Sequence, residues 1–273
     1  LATGLQFTHF SGQGPGNINL KNLIHVNKNT REKPMTIRLF EVGGSIRDEL
    51  MGIDNPPDRD FCAESPDGWE VLLAWCHANM KRVFLVTPEF FTVRGMMSNG
   101  TSIDVVMCRK DGSSSDGRHP DAVEAGTLLD DLARRDFTIN ALAREVNPET
   151  LEAIGDIIDP FNGVEDLVLR RLHCVGTAEE RMAEDWLRLL RAVRFAVTKN
   201  LDFDDEIGKQ LIEAKNWEKV IESVSVERIR EELHKMFKHN TVGSLMFFVD
   251  FAPAGLSLLN KTGIWLRPSL GSK

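Results

Sequence analysis

Apolar and polar positions change their spacing partway along this chain. Ile37 to Val42 ("IRLFEV") is a short apolar run and predicts a strand, followed by a brief helix over Ser45–Met51 entered through two glycines. Asp58–Ala63 predicts a second strand after the Pro56-Pro57 break. "GWEVLLAWCHANM" carries apolar residues at helical spacing. Arg82–Thr87, Phe91–Met96 and Ser102–Cys108 predict further strands, the first and third as central ladders because Val, Ile and Phe dominate them. "KDGSSSDGRHPD", Lys110–Asp121, is a polar Gly/Ser loop. "LLDDLARRDFTINALA" is expected to be helical, and "LEAIGDIIDPFNGVEDL" to form a short hairpin or strand and then a turn. From Thr177 onward the spacing is almost wholly helical. An α+β head followed by a helical part is the expected fold, with the boundary near Cys174.

Residues 1–34 do not share these patterns. "SGQGPGNINLKNLIHVNKNTREKP" is rich in Gly, Asn and Lys, and Met35 stands just before the first strand. The expected organisation is therefore a leader over 1–34, a head over 35–173, a helical segment over 174–240 and the start of a further helical body over 241–273. Met35 is the expected natural start.

With 273 residues and 42% hydrophobic content the chain can bury a sizeable core. A formal net charge of −8 excludes a broadly basic nucleic-acid coat, while 33 Lys and Arg leave room for a local basic site. Cys62, Cys76, Cys108 and Cys174 are widely spread without a CxxC pair, so zinc or a disulfide framework is not expected and reduced thiols are. No apolar run reaches membrane-spanning length. A cytoplasmic protein is expected.

The chemistry begins with carboxylates. Asp58 and Asp60 stand at i and i+2, which on a strand points both side chains to one face. Two adjacent carboxylates stay ionised together most easily with a divalent cation between them, and Mg²⁺ is commonly held by one or two carboxylates plus substrate phosphates. Asp104 in "SIDVV" is a charge inside an apolar strand pattern and the natural third member. The plain alternative is a turn residue at Asp58 and a solvated strand residue at Asp60. An EF-hand does not fit, because no glutamate closes a twelve-residue loop.

Gly43-Gly44 before a helix start lets backbone N–H groups approach an anion, and Arg47 could add a charge-assisted contact to phosphate. The pair matches neither GxGxxG nor GxxxxGK[ST], and a glycine pair is more often just a tight turn. In "AEDWLRLLRAVRFAV", Trp186, Leu189, Leu190, Val193 and Val197 share one helical face. Glu184, Asp185, Arg188 and Arg191 group on the other, with Arg194 at its flank. That charged face reads either as a solvated surface held by i,i+4 pairs or as a base-reading device. An aspartate accepts and an arginine donates, so a fixed Asp–Arg pair complements cytosine and adenine but leaves groups unpaired against guanine and uracil, a discrimination of roughly 10⁴-fold in an enclosed site.

"VGGSIRDELMG…DRD", "DLARRDFTINALA", "IIDPFNGVEDL", "RLHCVG", "AEDWLRLLRAVRFA" and "VERIREEL" together resemble, in order, the successive motifs of class II CCA-adding tRNA nucleotidyltransferases, relatives of bacterial poly(A) polymerases. The resemblance runs from about Leu39 to Leu233. It implies a nucleotidyltransferase palm with a mixed sheet of about five strands, then an all-helical neck and a partial body. It also implies addition of C, C and A to the 3′ end of tRNA from CTP and ATP with Mg²⁺. Carried onto this sequence, Asp58, Asp60 and, by context, Asp104 match metal-binding catalytic carboxylates. Gly43, Gly44, Arg47, Arg135, Asp136 and Asn140 fall at nucleotide-binding positions. Asp185 and Arg188 match the base-reading pair, with Glu184 orienting the arginines and Arg191 and Arg194 beside them.

Two features depart from the family. "MGIDNPPDRD" lacks the arginine that commonly follows the glycine, and the chain stops about 40 residues after Leu233, so most of the body and tail that grip the tRNA acceptor arm are expected to be missing. A poly(A) polymerase, a split C-adding or A-adding enzyme, and a catalytically silent RNA-binding module are the competing readings.

Overall fold

The computed structural model describes residues 37–53, 59–111 and 123–263, all within one compact unit, Thr36–Lys273. The leader, Asp58 and most of the loop Lys110–Asp121 lie outside the described residues. In chain order the head comprises β1 (Arg38–Val42), α1 (Gly44–Leu50), β2 (Asp60–Glu64), α2 (Trp69–Asn79), β3 (Met80–Thr87), β4 (Thr92–Met97), β5 (Ser102–Met107), β6 (Arg109–Asp111), β7 (Val123–Ala125), α3 (Leu128–Ala133), β8 (Ala143–Val146), β9 (Ala153–Ile158), α4 (Gly163–Val168) and β10 (Arg171–Leu172). The helical part comprises α5 (Ala178–Glu184), α6 (Leu187–Lys199), the short β11 (Asp202–Phe203), α7 (Asp205–Ile212), α8 (Ala214–Ser223), α9 (Val226–His239), α10 (Thr241–Phe251) and α11 (Pro253–Thr262).

Seven strands form one mixed sheet in the order β3-β4-β5-β2-β1-β8-β9. β2 pairs parallel with β5, and the other contacts between neighbours are antiparallel. Period-two alternation divides the core. Leu39, Phe61, Ala63, Ile103 and Val105 pack with Leu72 and Cys76 of α2 on one face. Phe40, Val42, Cys62 and Ala143 pack with Leu128 and Leu132 of α3 on the other. A third core joins Phe137 and Ile139 to the helical part through Leu189, Leu190, Val193, Trp217 and Met236.

Four expectations need correction. β3 is an edge strand, not a central one, and it leaves Phe84 and Leu85 exposed. The sheet exceeds about five strands because β8 and β9 join it beside β1. β8 comes from the end of a stretch expected to be one helix. α3 opens with a capping box, in which Thr127 Oγ1 accepts from the Asp130 N–H and Asp130 caps the Thr127 N–H, but it stops at Ala133. Asp136 then bonds the Phe137 N–H, and Phe137 is extended and bridged to Cys174; that local competition ends the helix. Finally, Cys62 and Cys108 pair as a disulfide, with Cα atoms 5.6 Å apart. Parallel pairing of β2 with β5, continued by the Cys108 N–H to Ala63 O bond of 2.8 Å, brings together residues that linear spacing keeps apart. Cys76 and Cys174 are buried free thiols, both pushed up to about 12 by burial. Among the described residues no single helix is long and apolar enough to cross a membrane.

Candidate active site

Asp60 opens β2 and Asp104 lies in β5, and the two are direct partners in the parallel register. Both fall on the α3 face of the sheet, with Cys62 and Val106, and line a cleft of about 250 Å³ whose wall includes Asp131, Arg134 and Arg135. Arg94, opposite Asp104 on β4, forks onto it, with Nε 2.6 Å from Oδ1. Arg59 precedes Asp60 and by alternation faces the opposite side. There its Nε and Nη2 reach Glu41 at 2.8 and 3.0 Å, its Nη2 also donates to Leu151 O, and its guanidinium lies over Phe61. Burial raises the Glu41 carboxyl, but Arg59 and Arg144 outweigh it and hold it below the usual range. The start of β2 is thereby anchored at an internal ion pair, leaving Asp60 at the cleft.

The glycine turn needs its glycine. Gly43 has φ +77°, and a Cβ there would lie 2.7 Å from Arg135 Nη1 and 3.4 Å from Asn140 O. Gly43→Ala is expected to cost about 2 kcal/mol from backbone strain alone and to displace Arg135. A thermal melt and a nucleotide titration would check this, and an unchanged melt would refute the steric argument.

Behind the turn, buried polar groups link the head to α6. Arg47 donates to Asn140 Oδ1, Asn140 Nδ2 donates to Asp136 Oδ1 at 2.9 Å, and Arg191 Nε donates to Asp136 Oδ2 at 2.7 Å. Burial pushes the Asp136 carboxyl up. The Arg191 charge, the Asn140 and Arg191 hydrogen bonds and the Arg188 charge overcome this and hold it down to about 2. Arg135 Nη2 bonds the buried Asp131 at 3.1 Å, and its Nη1 bonds Asn140 O at 3.2 Å. Arg47, Arg191 and Arg194 all lie over the buried ring of Phe195. Lys199 Nζ to Asp48, 2.8 Å, closes the far end of the junction.

The expected base-reading pair differs from a couple on one helix. Asp185 lies off the helix, in extended backbone between α5 and α6, where its Oδ1 accepts the Leu187 N–H at 3.0 Å. A short polar side chain that caps the next turn breaks the helical run. Arg228 of α9 reaches Asp185 Oδ2 at 2.7 Å. Arg188 donates to Glu184, to Arg181 O and, at 2.9 Å, to Arg134 O, which ties α6 to the wall of the cleft. Glu184 accepts from both Arg181 and Arg188. Leu189, Leu190 and Val193 are fully buried on the opposite face, as their spacing predicts.

Sequence reading missed Glu41, Arg59, Arg94, Asp131, Arg228 and Glu232. Asp131 had a usable signal, since Arg134 and Arg135 follow it at i+3 and i+4, and so did Glu41, a charge within an apolar strand. Arg94 meets Asp104, Arg228 meets Asp185 and Glu232 meets Arg194 through tertiary pairing.

A sheet that sets two aspartates side by side beneath arginines, backed by an arginine-bearing helix, is the arrangement of a nucleotidyltransferase-type head. Residues 39–173 match the poly A polymerase head domain. The CCA-adding enzyme of Enterococcus faecalis is 35% identical over 216 residues, covering 77% of this chain and 48% of the relative. The crystal structure of the Bacillus stearothermophilus CCA-adding enzyme in complex with CTP is 29% identical with a TM-score of 0.61, covering 86% of this chain and 51% of that one. A tRNA nucleotidyltransferase complexed with a primer tRNA and an incoming ATP analog is 27% identical with a TM-score of 0.62, covering 82% and 58%. The chain belongs to the tRNA nucleotidyltransferase and poly(A) polymerase family. It spans about half the length of the curated relatives it matches.

Proposed function

We propose that this chain carries the catalytic head and nucleotide-selecting helices of a CCA-adding enzyme, which extends the 3′ end of tRNA with C, C and A from CTP and ATP. The reading is carried by one observation: Asp60 and Asp104 stand in direct register within a cleft walled by Arg134 and Arg135, which Arg188 ties to the selecting segment. In the reaction the tRNA 3′-hydroxyl attacks the α-phosphorus, a new P–O bond forms, the bond to the β-phosphate oxygen breaks, and pyrophosphate leaves. The likeness to proteins solved with CTP and with primer tRNA and an ATP analog supports the choice of substrates. A cytoplasmic setting belongs to the same reading.

Two adjacent carboxylates are the hard oxygen donors that Mg²⁺ takes, and Asp58, two residues before Asp60, would complete the set. Arg94 covers Asp104, so Asp104 fits as a ligand once that fork opens. Bound there, Mg²⁺ would supply charge to the phosphoryl oxygens. Arg47, buried against Asp48 and Asn140, braces the glycine turn from behind, and the Gly43 N–H is taken by Leu142 O at 2.9 Å. Arg135, at the cleft wall, neutralises the triphosphate. Asp131 and Asn140 keep Arg135 aimed at it.

For the base, Asp185 accepts the exocyclic amino group of C or A, and Arg188 donates to the adjacent ring nitrogen. A carboxylate has about four acceptor positions, so Asp185 can take this bond while Arg228 holds it. Domain limits follow the same reading, with the head over 35–173, the selecting helices over 174–240 and the beginning of the body over 241–273.

The test is incubation of tRNA lacking its CCA end with CTP alone, ATP alone and both. Two C residues from CTP alone and a terminal A only with both are expected. A run of A residues from ATP alone would identify a poly(A) polymerase, and binding without incorporation a silent module.

A further inference from the structure

Helix α9 presents Arg228 and Glu232 one turn apart, so both side chains share a face. That face meets the α5–α6 segment with matched charges. Arg228 Nη2 donates to Asp185 Oδ2 at 2.7 Å and its Nη1 approaches Oδ1 at 3.4 Å. Glu232, buried at 4% exposure, accepts from Arg194 Nε and lies 3.8 Å from Arg191 Nη1. The acid of the segment thus meets a base, and its arginines meet an acid.

A simple tether between helices contributes little to stability at this exposure. The backbone at Asp185 suggests a more specific role. Because Asp185 is extended and outside any helix, no helical geometry fixes where its carboxylate points. The Leu187 N–H holds one oxygen from two residues away, while a planar guanidinium engaging both oxygens sets the plane of the group. Hydrogen-bond readout of a base edge depends on that plane.

We infer that Arg228 is a positioning residue for base discrimination, acting through Asp185; this rests on the base-reading role proposed above for Asp185. Arg228 has no contact with the nucleotide in this scheme. Its effect falls on the ratio between correct and incorrect bases.

The experiment uses the full chain and measures equilibrium binding of CTP and UTP with Mg²⁺ present, alongside a thermal melt. The wild type is expected to prefer CTP, and Asp185→Ala to lose that preference. Arg228→Gln is expected to lower the CTP-over-UTP ratio about tenfold to a hundredfold, the scale for misplacing a recognition group by an ångström. Arg228→Gln in the Asp185→Ala background is expected to add nothing. A ratio unchanged in Arg228→Gln, while Asp185→Ala abolishes it, overturns the inference and leaves the base-reading role intact. Equal binding of CTP and UTP by the wild type, or an unchanged ratio in Asp185→Ala, overturns the base-reading role itself. Should Arg228→Gln fail to fold, Arg228→Lys takes its place. Exchanging the fork for a point charge is expected to reduce the ratio a few-fold, and no reduction counts against the inference.

Discussion

Asp60→Ala is expected to abolish nucleotide incorporation while leaving the fold almost untouched. Asp60 stands at the first position of β2, exposed at the cleft and outside the apolar clusters on both faces of the sheet. Surface substitutions of that kind alter stability by about 0.5 kcal/mol or less. The chemical loss is far larger. Removing one carboxylate leaves Asp104 without its partner across the register, and Asp104 is already forked by Arg94. Losing one preorganised group that meets the developing charge costs about a hundredfold to a thousandfold in rate, roughly 3–4 kcal/mol of transition-state stabilisation. Single-turnover incorporation of C into tRNA lacking its CCA end, paired with a thermal melt, would separate the two effects. Substantial residual turnover would remove Asp60 from the catalytic set, whereas a collapsed melt would mean that it supports the fold. Asp60→Asn, which keeps the shape but loses the charge, is expected to be nearly as inactive.

Much of this arrangement was legible because the residues concerned obey local rules. The strands of the head announce themselves by short apolar runs between turns. On the helix α6, Leu189, Leu190 and Val193 face the core as a 3.6-residue period requires. What was not legible depends on partners distant in sequence. "RRDFTIN" has the composition of a helix continuing from α3, and nothing local says that Asp136 will turn back to its own neighbour's N–H and meet Arg191, 55 residues away. The same holds for Asp185. Its spacing to Arg188 places both on one helical face only if the helix continues, and the capping bond to Leu187 ends it. Cys62 and Cys108 illustrate the limit for sheets, because a parallel pairing joins residues whose separation of 46 positions carries no signal. The carboxylates are a mixed case. Strand alternation sets Asp60 with Cys62 and Asp104 with Val106, each within its own strand, but the two aspartates share a face only because β2 and β5 pair in parallel register.

Asp136→Ala is the substitution expected to harm the fold most among the polar residues near the cleft. Asp136 is only 7% exposed and accepts from Asn140 Nδ2, from Arg191 and from the Phe137 N–H. Its removal leaves a guanidinium and an amide without their acceptor at the junction of sheet and helices. Breaking a buried pair from one side costs about 3–5 kcal/mol, and since nearly a third of the Arg191 side chain still meets solvent, the lower end applies. For a chain of this size that lowers the melting temperature by about 10 °C. The pH dependence follows from the same contacts. The folded carboxyl titrates at about 2, below its ordinary value of 3.8, so folding favours its ionised form. The contribution is complete above about pH 4, falls as pH drops from there towards 2, and amounts to roughly 2 kcal/mol. Urea melts of wild type and Asp136→Asn between pH 3 and 7 would read it. The wild type is expected to lose its advantage over the variant as pH falls below about 4. A constant difference across that range would mean that the Asp136 charge contributes nothing to holding sheet and helices together, and would leave that to the apolar contacts of Phe137, Ile139 and Leu190 and to the other polar links of the junction.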